Sequence, residues 1–173
     1  MRAVSLALSL AAFLAVVSPT RGSVVRPFTL QELYSTAELV VVGEVVGQTS
    51  FWNEAHDTIY TEYTIQVERV VKGRKPLELR LRLMGGSVDG QTLRVPGNAQ
   101  VEVGERVLVA LRDQGAFQTL VGMSQGKWSI RRLGGQDVAW RGARLPVAEP
   151  LRDGEVPLDD LLDDLQRDAG RTP

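Results

Sequence analysis

The sequence predicts a mainly β protein: a small barrel or sandwich with a short helix before it and an amphipathic helix after it. Three observations carry this. Apolar and polar residues alternate over 58–71 and 77–83, the two-residue period of strands with one buried face. Turn signals separate about seven short β-prone runs, a spacing typical of small barrels and sandwiches. Helical spacing of apolar residues is confined to two segments, 28–37 and 158–165.

The chain opens with an export signal. Met1-Arg2 is a short positive start, Ala3 to Val17 runs without charge or glycine, and Ser18-Pro19 breaks the run. Thr20-Arg21-Gly22 then places small residues at −3 and −1 of a cut before Ser23. This is the three-part build of a secretory signal peptide. The apolar run is shorter than the ~20 residues a helix needs to span a bilayer. The expectation is an exported protein, periplasmic or extracellular, without stable membrane insertion after cleavage. Its parts are a signal peptide over 1–22, a β domain over 23–144, and an acidic linker with a helix over 145–173. Removing residues 1–22 takes away two arginines and no acid, so the net charge moves from −1 to −3.

The mature elements follow in order. Thr29 and Glu32 have the spacing of a capping box, and Leu30, Leu33, Tyr34 and Ala37 share a helical face. Phe28 stands where a hydrophobic staple to Leu33 would start. Residues 39–46 are β-branched and nearly continuous, which predicts a central strand covered on both faces, with Gly43 as a bulge. Residues 47–57 read as a loop or the fraying end of a hairpin. Over 58–71, Ile59, Thr61, Tyr63, Ile65, Val67 and Arg69 share one face. A basic turn at 72–76 leads to Leu77, Leu79, Leu81 and Leu83, which alternate with charge. Residues 84–106 are rich in turns, and Asp89-Gly90 signals a hairpin. Strands are expected over 107–111 and from Phe117 to Val121, followed by a hairpin of 127–131 and 137–140 around Gly134-Gly135. Leu158, Leu161, Leu162 and Leu165 line one face of the last helix, with Asp159, Asp160, Asp163 and Asp164 between them.

Composition excludes several functions. The chain has one histidine and no cysteine. It therefore holds no disulfide framework, thiolate nucleophile or zinc knuckle, and cannot form an HExxH site. The near-balance of 20 basic and 21 acidic residues lacks the cation surplus that drives nucleic-acid binding. The four helical aspartates do not have EF-hand spacing and read as a polar helix face. Neither glycine pair is followed by the Lys-Ser/Thr of a phosphate loop. No cofactor, metal or catalytic set is expected, and the protein is read as a non-enzyme. A mature chain of about 150 residues buries enough surface to fold without disulfides.

The run Tyr34-Ser35-Thr36-Ala37-Glu38-Leu39-Val40-Val41-Val42-Gly43-Glu44-Val45 resembles the opening of netrin-like domains, the superfamily that includes the tissue inhibitors of metalloproteinases. The resemblance continues through Glu68-Arg69-Val70-Val71-Lys72-Gly73 and Val103-Gly104-Glu105-Arg106-Val107-Leu108-Val109, and covers residues 28–125. It implies an OB-like β-barrel, a scaffold that hosts unrelated functions. Netrin-like domains are usually disulfide-bonded, and this chain has no cysteine. The inhibitors chelate the protease's zinc through an N-terminal cysteine, for which no residue here is a match. Their inhibitory mechanism is therefore not transferred.

The candidate binding residues are few. Phe51-Trp52, in a polar stretch, is the best exposed aromatic pair for a contact site. His56 lies among acids beside it, with no GxSxG elbow to make it a general base. Arg80, Arg82 and Arg94 are candidates for a face with Tyr60 and Trp128, of the kind OB barrels use for oligosaccharides. Leu158, Leu161, Leu162 and Leu165 form either a strap docked on the barrel or a partner-binding helix. The expectation is an exported, non-catalytic binding protein whose partner is a protein, such as a secreted protease. The alternative is an envelope oligosaccharide- or polymer-binding protein. The oligomeric state is not legible.

Overall fold

The computed structural model describes residues 26–74, 76, 78–141 and 154–169. The expected signal peptide and most of the expected 145–157 linker lie outside the described residues. Helix α1 spans Leu30–Thr36 and opens on the expected capping box. The Thr29 hydroxyl accepts the Glu32 N–H at 3.1 Å, and the Glu32 carboxylate accepts the Thr29 N–H at 2.9 Å. In chain order the strands are β1 Leu39–Trp52, β2 Ile59–Lys72, β3 Leu79–Met84, β4 Gly86–Val88, β5 Gln91–Leu93, β6 Arg106–Asp113 and β7 Gln118–Leu120. A 3-10 turn, Met123–Gly126, leads to β8 Lys127–Leu133, β9 Gln136–Trp140 and β10 Val156–Pro157, and helix α2 Leu158–Ala169 follows.

Five strands close a barrel. The circuit runs β1-β2-β3-β7-β6 and back to β1. All its pairs are antiparallel except β3–β7, which meet in parallel at Leu81 and Gln118. This is an OB-like barrel with helices near the two ends of the chain. The β4–β5 hairpin turns at Asp89-Gly90, both with positive φ, as the dipeptide requires. Strands β8, β9 and β10 extend the sheet beyond the barrel from the first half of β6.

The apolar run of β1 is continuous because its two faces serve two cores. Leu39, Val41 and Val45 point into the barrel with Ile65, Leu81, Val107, Val109 and Leu111. Val40 and Val42 point the other way, into a second core with Leu108, Trp128, Ile130, Leu33 and the leucines of α2. Ala99 and Val101 of the loop before β6 pack on the barrel core.

Three expectations need correction. Residues 47–52 are strand: Gln48, Thr49 and Ser50 pair with Tyr63, Glu62 and Thr61. Ladder bonds with β2 hold this polar extension, so apolar patterning gave no sign of it. The inward face of β2 does not run unbroken to Arg69. Val70 packs on the barrel core, and Arg69 is exposed, beyond register shifts in the β1–β2 ladder. Val156 and Pro157, expected as linker, pair with Ala139 and Val138.

Side chains tie the outer layer down. The amide of Gln125, which is 2% exposed, accepts the Phe28 N–H at 2.8 Å and donates to the Arg26 carbonyl at 2.9 Å. It thus satisfies the incoming chain where no strand pairs with it. Lys72 Nζ donates to the Tyr34 and Ser35 carbonyls at 2.5 and 3.3 Å and lies 4.9 Å from the Tyr34 ring centre. It caps the C-terminal end of α1, and desolvation there holds its pKa below the usual lysine value.

Gly43 is required by close approach. A Cβ there would lie 2.5 Å from the Gln66 carbonyl oxygen and 2.8 Å from Ile65 Cγ2. Gly43→Ala should destabilise the protein by about 1–3 kcal/mol, the range for overpacking a tight site. Gly47→Ala is the control, because its Cβ would meet nothing closer than 3.9 Å. Urea unfolding of both variants checks this, and equal midpoints would refute the close-approach account.

Candidate functional site: an aromatic–arginine patch

Two hydroxyls, the buried Thr61 and the half-buried Ser50, set the direction of the site. Ser50 Oγ and Thr61 Oγ1 are 2.8 Å apart, and Thr61 donates to the Gly85 carbonyl at 2.7 Å. With these side chains turned inward, the two-residue period turns their neighbours Phe51 and Tyr60 outward. Phe51 pairs with Tyr60 across β1–β2, and Tyr60 with Met84 across β2–β3. Glu62 pairs with Arg82 on that outer face.

The rings of Phe51 and Tyr60 stack with centres 6.4 Å apart. The Arg82 guanidinium lies 5.2 Å from the Phe51 ring centre and 3.8 Å from that of Phe117, which the turn between β6 and β7 supplies. Arg82 also donates to Glu62 Oε2 through Nη2 at 2.9 Å and Nε at 3.3 Å. Arg80 bonds Glu78 at 2.8 Å and lies 3.8 Å from Glu62. Each cation–π contact contributes about 0.5–1 kcal/mol at such a half-exposed site. Their joint effect is to fix the guanidinium before anything binds. The three aromatic side chains remain half-buried and Met84 is 45% exposed. The patch therefore offers ring faces and edges with nearly balanced charge. It offers contact chemistry, with no nucleophile–base pair.

The β1–β2 turn flanks the patch. The Asn53 side-chain oxygen Oδ1 accepts the N–H groups of Asp57 and Thr58 at 3.0 and 3.2 Å, and its side-chain amide nitrogen donates to Asp57 Oδ1 at 2.7 Å. The hydrogen bond from Asn53, then that from Thr58, holds the Asp57 carboxyl below its usual pKa. His56 sits exposed in this turn with φ 54°, its ring centre 6.2 Å from that of Trp52. Among the described residues no cluster of three or more His, Asp or Glu could hold a metal.

The sequence candidates separate into three places. Phe51, Trp52 and His56 sit at the patch or the adjoining turn. Arg94 lines an open groove of about 700 Å³ with Tyr63, Leu93 and Pro96. Trp128 is 3% exposed, and Leu158, Leu161, Leu162 and Leu165 are 1–6% exposed, all within the core under the helices. In this structure the four leucines are a docked strap. Tyr60 and Arg82 do share a face, but with Phe51 and Phe117, while Trp128 faces the helix-covered core. Phe117 was missed as a site residue because it reads as the start of a strand. Its one sign was an aromatic residue directly after the Gln114-Gly115 turn.

No protein-family model matches the chain, and neither does any curated protein.

Proposed function

We propose that this is an exported, non-catalytic binding protein that contacts a protein partner through the aromatic–arginine patch. The observation that carries the reading is the clamp on Arg82, which lies against Phe51 of β1 and Phe117 of the β6–β7 turn and is bonded to Glu62 of β2. Tyrosine and arginine dominate binding hot spots, and a preorganised guanidinium loses little freedom on docking. The patch lies on the β2–β3 face between the β1–β2 and β6–β7 turns, where OB barrels present ligands. Export rests on the three-part N-terminal segment. The netrin-like resemblance makes a secreted protease the partner class to test first.

Immobilised protein exposed to the secreted proteins of its own source should retain a discrete partner. Tyr60→Ala and Arg82→Ala should each weaken that complex by about 2 kcal/mol, as hot-spot truncations do, with both variants still folded at the assay temperature. Retention of nothing, or of a partner that both variants bind equally well, would count against the patch.

A further inference from the structure

The β8–β9 hairpin has a second working face. Trp128 and Ile130 pack under the helices, so Lys127 and Ser129 turn the other way, with Trp140 paired opposite Ser129. Residues 98–105 wall this face and enclose a cavity of about 380 Å³, whose lining includes Asn98, Gln100, Glu105, Ser124, Lys127 and Trp140. The volume falls at the lower end of small-molecule sites.

The buried charge in this cavity is settled internally. Lys127 Nζ donates to the Gln100 carbonyl at 2.9 Å, to Ser129 Oγ at 2.8 Å and to the Glu105 carboxylate. Those contacts use its three protons. Glu105 Oε1 also accepts the Ser129 hydroxyl at 2.5 Å, and Oε2 accepts the Glu102 N–H at 3.2 Å. An anion finds no spare ammonium here, and the remaining carboxylate of the lining, that of Glu102, is exposed.

Apart from the exposed Glu102 carboxylate, what remains is neutral. Ser124 is 7% exposed, and its buried hydroxyl has no hydrogen-bond partner within the protein. Leaving such a group unpaired is costly, and native proteins rarely do so without a use for it. The same cavity is lined by the side chain of Asn98, whose amide nitrogen also donates to the Met84 carbonyl at 2.5 Å, by the exposed amide of Gln100 and by the half-buried indole of Trp140. A ring face beside mixed neutral donors and acceptors suits a ligand with one apolar side and a rim of hydroxyls. We infer that this cavity binds a neutral saccharide unit, with Trp140 stacking on the sugar ring and Ser124 and the amides bonding its hydroxyls. The site shares no residue with the patch, so it stands or falls independently of the proposed protein partner.

The test titrates the purified protein with chitobiose, cellobiose and maltose, read by calorimetry and tryptophan fluorescence. At least one should bind with a Kd of about 1 mM or tighter. Trp140→Ala and Ser124→Ala should each weaken that binding about tenfold or more, and Tyr60→Ala should leave it unchanged. Ser124→Ala should also raise the Tm of the free protein by about 2–4 °C, because it removes an unsatisfied buried hydroxyl. A hydroxyl with a purely structural role would lower the Tm instead. Absence of binding by all three sugars, binding that survives Trp140→Ala, competition by inorganic phosphate, or a lowered Tm for Ser124→Ala would each overturn the assignment.

Discussion

Replacing Lys127 with methionine should cost the protein about 3 kcal/mol of stability, the usual loss when one member of a buried ion pair is removed. The side chains of Lys127 and Glu105 are only 9% and 19% exposed. Burial decides the magnitude, because an exposed pair would contribute about 0–1 kcal/mol. Without Lys127, the Glu105 carboxylate keeps Ser129 and the Glu102 N–H but loses its counter-charge, and the Gln100 carbonyl loses its donor. The double variant Lys127→Met with Glu105→Leu should recover much of the loss, since apolar replacement of a buried pair is often neutral or better. Denaturant unfolding of the two single variants and the double variant measures the coupling directly. A Lys127→Met protein as stable as the wild type would mean that water reaches the pair and screens it.

That pair also marks where sequence reading stopped. The fold class was legible because its signals are local. The Thr29–Glu32 box, the Asp89-Gly90 turn and the Gly134-Gly135 turn each need only neighbouring residues, and each forms as read. The alternation of Leu79, Leu81 and Leu83 fixes the inner face of β3 without knowledge of its partners. The site was less legible because it is assembled across strands. Phe51, Tyr60, Arg82 and Phe117 meet only once β1, β2 and β3 are in register and the β6–β7 turn closes over them. Closure itself depends on the parallel contact of Leu81 with Gln118, which no local period announces. The same holds for Lys127 and Ser129. Their two-residue spacing was visible in the strand. Their burial was not, because the wall that covers them comes from residues 98–105.

The two-core arrangement explains why the terminal helix belongs to the fold. β1 and β6 separate the barrel core from the helix-covered core, so pressure on one face is felt on the other. Val40 and Val42 need a cover that the barrel cannot supply. α1 provides part of it with Leu33, and the leucines of α2 complete the cluster together with Trp128, Ile130 and Ala139 of β8–β9. The chain enters α2 through the pairing of Val156 and Pro157 with β9, and the ion pair of Arg131 with Glu155 fastens the entry.

Leu162→Ala should therefore destabilise the whole protein by about 2–5 kcal/mol, the range for deleting a buried leucine side chain. Leu162 is 1% exposed and sits among Leu158, Leu161 and Leu165, which are 1–6% exposed. At about 2–4 °C per kcal/mol for a domain of this size, the Tm should fall by roughly 4–20 °C. Asp163→Ala, on the exposed face of the same helix, should change stability by no more than about 0.5 kcal/mol. The contrast separates the two roles open to this leucine face. A strap that completes a core loses global stability when a leucine is cut back, and β1 and β6 become less protected in hydrogen exchange along with α2. A helix held in reserve for a partner would keep the Tm unchanged in Leu162→Ala and lose only partner binding. If unfolding shows no change, the second core is not cooperative with the barrel, and the leucine face returns as the leading interaction surface.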